Sequence, residues 1–455
     1  MSRKLLEAVA KVENNLHLPP QHVGASAPGK NIFDRMEALK VPNVSVTVID
    51  KGGVAWTREY DLASRSSHES QPTTPAIFQA ASVSKTVNAV LAMKVLVETR
   101  VMDLDDDVRP HLKGWTIPGD DHGEKITLRR LLSHTAGMSV GGPDGYHAHP
   151  GESLPTTTET LAGQLATSQS ARLSPNGRPA RIEHKPGEKC IYSNDGTLIV
   201  QKLIEDVTGR RYADLAKELI FKPLGMELST FEYKYPETAS DNIQKGHCEN
   251  GDVGWRIIPE SGAAGLWTTT EDLAKFAIAM QNAYRGADDT WMSQKTAQAM
   301  LTKQHNSRFG LGFELGEGNQ LSFGHTGKMP GYRAEFTLFP AQGMGAVVMT
   351  NADNVQNTLP LNIEIVTSIA EVYTWPSREN ENKKTVESSV KEAAEATLPL
   401  QTPPISADAY PITTLLTSRA SSGILGTQNA EPVPAPALDQ QHDKSPGIKP
   451  PGSSN

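Results

Sequence analysis

The chain has 455 residues, a net charge of −8 from 44 basic and 52 acidic residues, and two cysteines, Cys190 and Cys248. That length buries a substantial core, and charges of both signs without long single-sign blocks exclude the footprint of a nucleic-acid binder or an anionic-membrane binder. Two cysteines make no disulfide framework and, without histidines at ligand spacing, no zinc site.

In chain order, "MSRKLLEAVAKVENNLHLPP" reads as an amphipathic helix ended at Pro19, because Glu7, Lys11 and Glu13 interrupt it before any apolar run reaches signal-peptide length. Residues 1–30 are therefore expected to be an N-terminal helix and linker. "GASAPGK" (24–30) has phosphate-loop spacing, but Asn31 stands where a Mg²⁺-binding hydroxyl is needed and prolines occupy the preceding strand position. Nucleotide binding is set aside.

"VSVTVID" (44–50), a glycine turn and "VAWTREY" (54–60) alternate apolar and polar residues, the mark of a β-hairpin. Helical periodicity follows over 83–99, 126–134, 197–207 and 270–283. Within this region "DLDDDV" (103–108) fails as a calcium loop, since Val108 takes the glycine place and Gly114 the bidentate glutamate place. "HAH" (147–149) offers two imidazoles without a third ligand and reads as a solvated loop. A second hairpin pairs "RAEFTLFP" (333–340) with "AVVMTN" (346–351), and "LPLNIEIVTSIAEVYTW" (359–375) closes the region as a helix.

Strands at both ends with helices between them predict an α/β (α+β) fold: a mainly antiparallel sheet built from N- and C-terminal segments, flanked by helices, with an inserted helical region. The expected domain is 31–375. Residues 376–455 hold eleven prolines and one aromatic, Tyr410, so this tail is expected to be disordered, with "YPITTLL" (410–416) its one candidate segment for docking a protein partner. No segment approaches the ~18 uninterrupted apolar residues of a membrane span, so a soluble, cytoplasmic protein is expected.

"ASVSKTVNAV" (81–90) places Ser82 three residues before Lys85 at the start of a helix with Val83, Val87, Val90 and Leu91 on one stripe. A serine there is often only a cap. The same spacing also brings the lysine amine to the hydroxyl, while helix N-terminal amides favour negative charge on an attacked carbonyl oxygen. The motif alone is weak: Ser388 and Lys391 repeat it in the tail. "KPGEKCIYSNDG" (185–196) adds Tyr192 and Asn194, two apart after a Pro-Gly turn, so that phenol and carboxamide share a side if the backbone is extended. "FGHTGKMPGYRAEF" (323–336) adds His325, Thr326 and Gly327 before the second hairpin.

Together with "TPAIFQAASVSK", "LLSHTAGM", "VTGRRYADLAKELIFKPLGM", "AAGLWTTTEDLAKFA" and "FGLGF", these segments resemble, in order and across 31–375, the serine β-lactamase and penicillin-binding protein superfamily, in its class C-like branch of serine hydrolases. The resemblance implies that Ser82 is the acylated nucleophile and Lys85 its proton acceptor or electrostatic partner. Tyr192 would share the base role and protonate the leaving group, and which of the two is the base stays open. Asn194 would bind a substrate amide or fix Lys85. His325, Thr326 and Gly327 would form the third box, and the N–H groups of Ser82 and Lys328 the oxyanion hole.

At the first place of that box dedicated β-lactamases carry lysine; here it is His325, ordinarily neutral near pH 7. His134 reads as a structural residue of the "SHTAG" turn. The activity implied is acyl transfer from small esters or amides with no metal or organic cofactor. Carboxylesterase is favoured, with D-aminopeptidase or β-lactam hydrolysis next. A non-catalytic binding or sensor protein on the same fold is the alternative of another class. Acyl group, acceptor and oligomeric state are not legible.

Overall fold

The computed structural model describes residues 1–17, 29–65, 75–119, 123–142, 145, 154–164, 178–233, 242–248, 251–288, 290–316, 320–353 and 358–376. "HAH", most of "GASAPGK", the Ser388–Lys391 repeat and the tail with its 410–416 segment lie outside them.

Helix α1 (Arg3–Asn14) and α2 (Ile32–Leu39) precede the first hairpin, β1 (Asn43–Asp50) and β2 (Gly53–Asp61). Its two-residue turn has Lys51 at φ 53° and Gly52 at φ 79°. Positive φ at both central positions matches the right-handed strand twist, which is why a short Lys-Gly turn closes this hairpin. Next come β3 (Phe78–Gln79), a 3₁₀ turn (Ala81–Val83) and α3 (Ser84–Ala92), prolonged through a wider π-type stretch, Met93–Glu98. The helical insert contains α4 (Leu128–Leu132), α5 (Thr157–Leu161), α6 (Asn194–Thr208) and α7 (Tyr212–Ala216). A small hairpin of β4 (Gly246–Cys248) and β5 (Gly251–Gly254) leads to α8 (Ser261–Ala264), β6 (Trp267–Thr268), α9 (Thr270–Arg285) and α10 (Gln294–Met300). The last described elements are β7 (Glu314–Leu315), β8 (Phe323–Met329), β9 (Tyr332–Phe339), β10 (Met344–Thr350) and α11 (Thr358–Val372).

The main sheet is antiparallel in the order β2-β1-β10-β9-β8-β7, so its centre joins the two ends of the domain, with Val46 opposite Val348. Alternation sorts each strand between two cores. Val44, Val46 and Val48 of β1 pack with α1, α2 and α11, where Val9, Val12 and Leu16 are also buried. The N-terminal helix is amphipathic because its apolar stripe, Val9 and Val12, is buried in this core. Ser45 and Thr47, on the opposite face of β1, meet Thr270 at the start of α9 with hydroxyl contacts of 2.7 and 2.9 Å. Behind α9 lies the larger core, through which α3 runs almost wholly buried.

The helices stop where their caps dictate. Thr127, Ser193 and Thr269 accept hydrogen bonds from the first turns of α4, α6 and α9, and left-handed Gly209 and Gly286 end α6 and α9. Among the described residues no helix is long and apolar enough to cross a membrane.

Candidate active site

Ser82 does not cap a helix. It sits within the 3₁₀ turn, whereas Ser84, the first residue of α3, donates to the Ala81 carbonyl. Ala81 holds φ at 48°, a left-handed conformation that costs a non-glycine residue roughly 1–2 kcal/mol, directly before the serine. The sharp turn leaves Ser82 half-buried and reachable while its neighbours are sealed.

One turn along, Lys85 is 3% exposed, and its Nζ donates to Ser82 Oγ at 3.1 Å and to the Ala263 carbonyl at 2.9 Å. Burial lowers the amine to about 7, against an opposing pull from Glu314. The Tyr192 hydroxyl is turned to Ser82 and interacts with it, and Lys85 Nζ lies 4.9 Å from the centre of the Tyr192 ring. Burial raises the phenol above its ordinary range, so Tyr192 stays protonated where the lysine has already lost its charge.

His325 is 2% exposed, its ring 6.2 Å from that of Tyr192. Its Nδ1 bonds the Thr326 carbonyl at 2.6 Å, so the proton sits on Nδ1, and Nε2 has no partner among the described residues. Burial, then the nearby Lys85, depress this imidazole to about 3; it is neutral. Gly327 runs against the Ala80–Ala81 backbone just ahead of Ser82, and the next residue, Lys328, is exposed. Strand alternation turns the Thr326 and Lys328 side chains away from the His325 face, and Thr326 stands opposite Glu335. Thus Ser82, Lys85, Tyr192, His325 and Gly327 come together, while the Thr326 and Lys328 side chains lie on the other face of β8.

Asn194 meets only part of the expected geometry. The capping hydroxyl of Ser193 starts α6 at Asn194, while Ser193 itself stays extended (φ −134°, ψ 121°), the backbone that leaves residues 192 and 194 on one side. Its amide donates to the Gly141 carbonyl at 3.2 Å and makes no bond to Lys85, whose amine the Ala263 carbonyl takes instead. That carbonyl, the left-handed Ala81 and the half-buried Arg308–Glu314 pair (3.6 Å) are site features the motifs did not reveal. Phe309 completes the floor, 4.7 Å from His134 and 6.0 Å from Tyr192 between ring centres. Cys190 packs against Ser133 and Ser307. Of the calcium-loop candidate, Asp105 and Asp107 are engaged by Arg129 and Arg109. No group of three or more His, Cys, Asp or Glu residues is poised to hold a metal among the described residues.

A mixed fold of this topology, with helices on both faces of an antiparallel sheet drawn from both ends of the chain, is β-lactamase-like. The family model described as Beta-lactamase matches residues 30–366, and the chain belongs to that family of serine hydrolases. A protein named flp from Staphylococcus aureus is 23% identical over 326 residues, which are 69% of this chain and 60% of the relative. The chain thus spans about 60% of the length of that curated relative. Among solved structures, the octameric penicillin-binding protein homologue from Pyrococcus abyssi matches with a TM-score of 0.59 and 23% identity, covering 79% of this chain and 80% of that one. A D-stereospecific amidohydrolase from Streptomyces sp. matches with a TM-score of 0.55 and 22% identity, covering 73% and 96%.

Proposed function

We propose that this chain is a serine hydrolase that cleaves small esters through an acyl-enzyme on Ser82. The observation that carries the reading is the contact of one hydroxyl, Ser82, with both a lysine amine at 3.1 Å and a phenol. A lysine brought near 7 by burial and a phenol pushed upward support distinct roles: neutral Lys85 takes the Ser82 proton, and Tyr192 relays a proton to the leaving oxygen. Serine Oγ bonds the carbonyl carbon, the alcohol departs protonated, and water resolves the acyl-enzyme by the reverse relay. The N–H groups of Ser82 and Lys328 are the proposed donors to the oxyanion.

Neutral His325 in place of a permanent cation supports uncharged acyl groups over carboxylate-bearing β-lactams. A second reading, cleavage of D-amino-acid amides, is favoured by the match to the D-stereospecific amidohydrolase.

The test is a panel of p-nitrophenyl butyrate, a D-alanine anilide and a chromogenic cephalosporin, on wild type and Ser82→Ala, with fluorophosphonate labelling in parallel. Fastest turnover of the ester, lost with Ser82, is expected. Preference for the anilide moves the assignment to the second reading, and labelling that survives Ser82→Ala removes the site.

A further inference from the structure

His134 grips the chain on both sides of Tyr192. Its backbone carbonyl accepts the N–H of Ile191 at 2.8 Å, and its ring Nδ1 accepts the N–H of Ser193 at 3.2 Å. The ring then lies against the phenol between these two bonds, with centres 4.5 Å apart and planes 39° apart. Such a grip needs an unusual backbone: His134 has φ 59°, which bends the turn after α4 so that carbonyl and ring both face residues 191–193. Because Nδ1 accepts from a backbone amide, the ring proton is on Nε2 and the imidazole is neutral. Burial, then the nearby Lys85, His325 and Arg308, push this imidazole well below its ordinary range and keep it neutral.

We infer that His134 is a positioning residue for the proposed reaction: it fixes the peptide around Tyr192 so that the phenol meets Ser82. It touches no substrate, and the inference rests on the reading of Tyr192 as a proton relay. A histidine that merely filled the core would need neither the left-handed backbone nor the ring nitrogen turned to Ser193. Misplacing a reacting group by ~1 Å costs on the order of 10²-fold in rate, so such a grip is large enough to matter.

Two variants separate the grip from folding, since glycine and asparagine both tolerate a left-handed backbone. His134→Gly removes the side-chain acceptor; His134→Asn replaces Nδ1 by an amide oxygen at the same position along the side chain. With p-nitrophenyl butyrate and the full chain, His134→Gly is expected to lower kcat by roughly 10–10²-fold with KM changed less than about threefold. His134→Asn is expected to recover most of that loss. In a Tyr192→Phe background the His134→Gly substitution is expected to have little further effect. The inference is overturned if His134→Gly keeps wild-type kcat, if Asn rescues no better than Gly, or if the two losses simply multiply. A wild-type chain that neither turns over the ester nor takes the fluorophosphonate overturns the reading of the site, and this inference with it.

Discussion

A β-carbon added to Gly327 would stand 2.2 Å from the carbonyl oxygen of Ala80, two residues ahead of the candidate nucleophile. No backbone shift of a few tenths of an ångström relieves that overlap, so strand β8 and the serine turn are spaced by a hydrogen atom. Gly327→Ala is therefore expected to push the strand off the turn and lower ester turnover by at least ~10²-fold, the scale of an ångström misplacement. A folded Gly327→Ala chain with more than a tenth of wild-type kcat/KM shows that this spacing is not needed.

The buried amine sets an acid limb. With Lys85 lowered to about 7, kcat/KM is expected to rise with pH and level off above that value, because only the neutral amine accepts the serine proton. Glu314 pulls the lysine pKa up, so Glu314→Gln is expected to move the midpoint to lower pH. Lys85→Arg, permanently protonated, is expected to lose ~10²–10⁴-fold. The absence of an acid limb near pH 7, measured by stopped-flow from pH 5 to 10, excludes Lys85 as the base.

Tyr192→Phe leaves the aromatic contacts with His134 and Phe309 and deletes only the oxygen that meets Ser82. Turnover is expected to drop by ~10²–10⁴-fold while thermal stability changes little. An unchanged rate in a folded variant strikes the phenol from the relay.

Glu335 gives a stability test away from the chemistry. It is 3% exposed on the α11 side of β9, and burial raises its carboxyl to about 8 against the opposing bond from Asn362. The folded chain then holds a proton that the unfolded chain releases above ~4.5, so this contribution is full below that pH and is lost as pH rises to about 8. Glu335→Gln is expected to melt like wild type at pH 5 and to be more stable by roughly 2–4 kcal/mol at pH 9. The unpartnered Asn362 Oδ1 is an acceptor in reach of the new amide. An equal shift at both pH values means the carboxyl does not titrate there.

Much of the frame was legible because it is local. Alternation in 44–50 and 54–60 gave the first hairpin, and helical spacing gave α6 and α9 to within a few residues. The Ser82–Lys85 contact follows from one helical turn. What stayed hidden spans the chain: Lys85 meets Ala263 across 178 positions through a carbonyl that every residue possesses. Alanine carries no sign that it will adopt φ 48°, as Ala81 does. The grip of His134 on residues 191 and 193 depends on a turn whose shape only the assembled insert defines.

The pairing of β1 with β10 carries a cost in time. Val44 waits for Thr350, so a ribosome must release some three hundred further residues before the middle of the sheet has its second edge. Until then β1 and β2 present an unpaired border rich in valine, and contacts this distant in sequence form slowly because a long loop must first be closed. The nascent protein is thus most exposed to wrong partners during its own synthesis, and slowing translation through the insert would lengthen that interval.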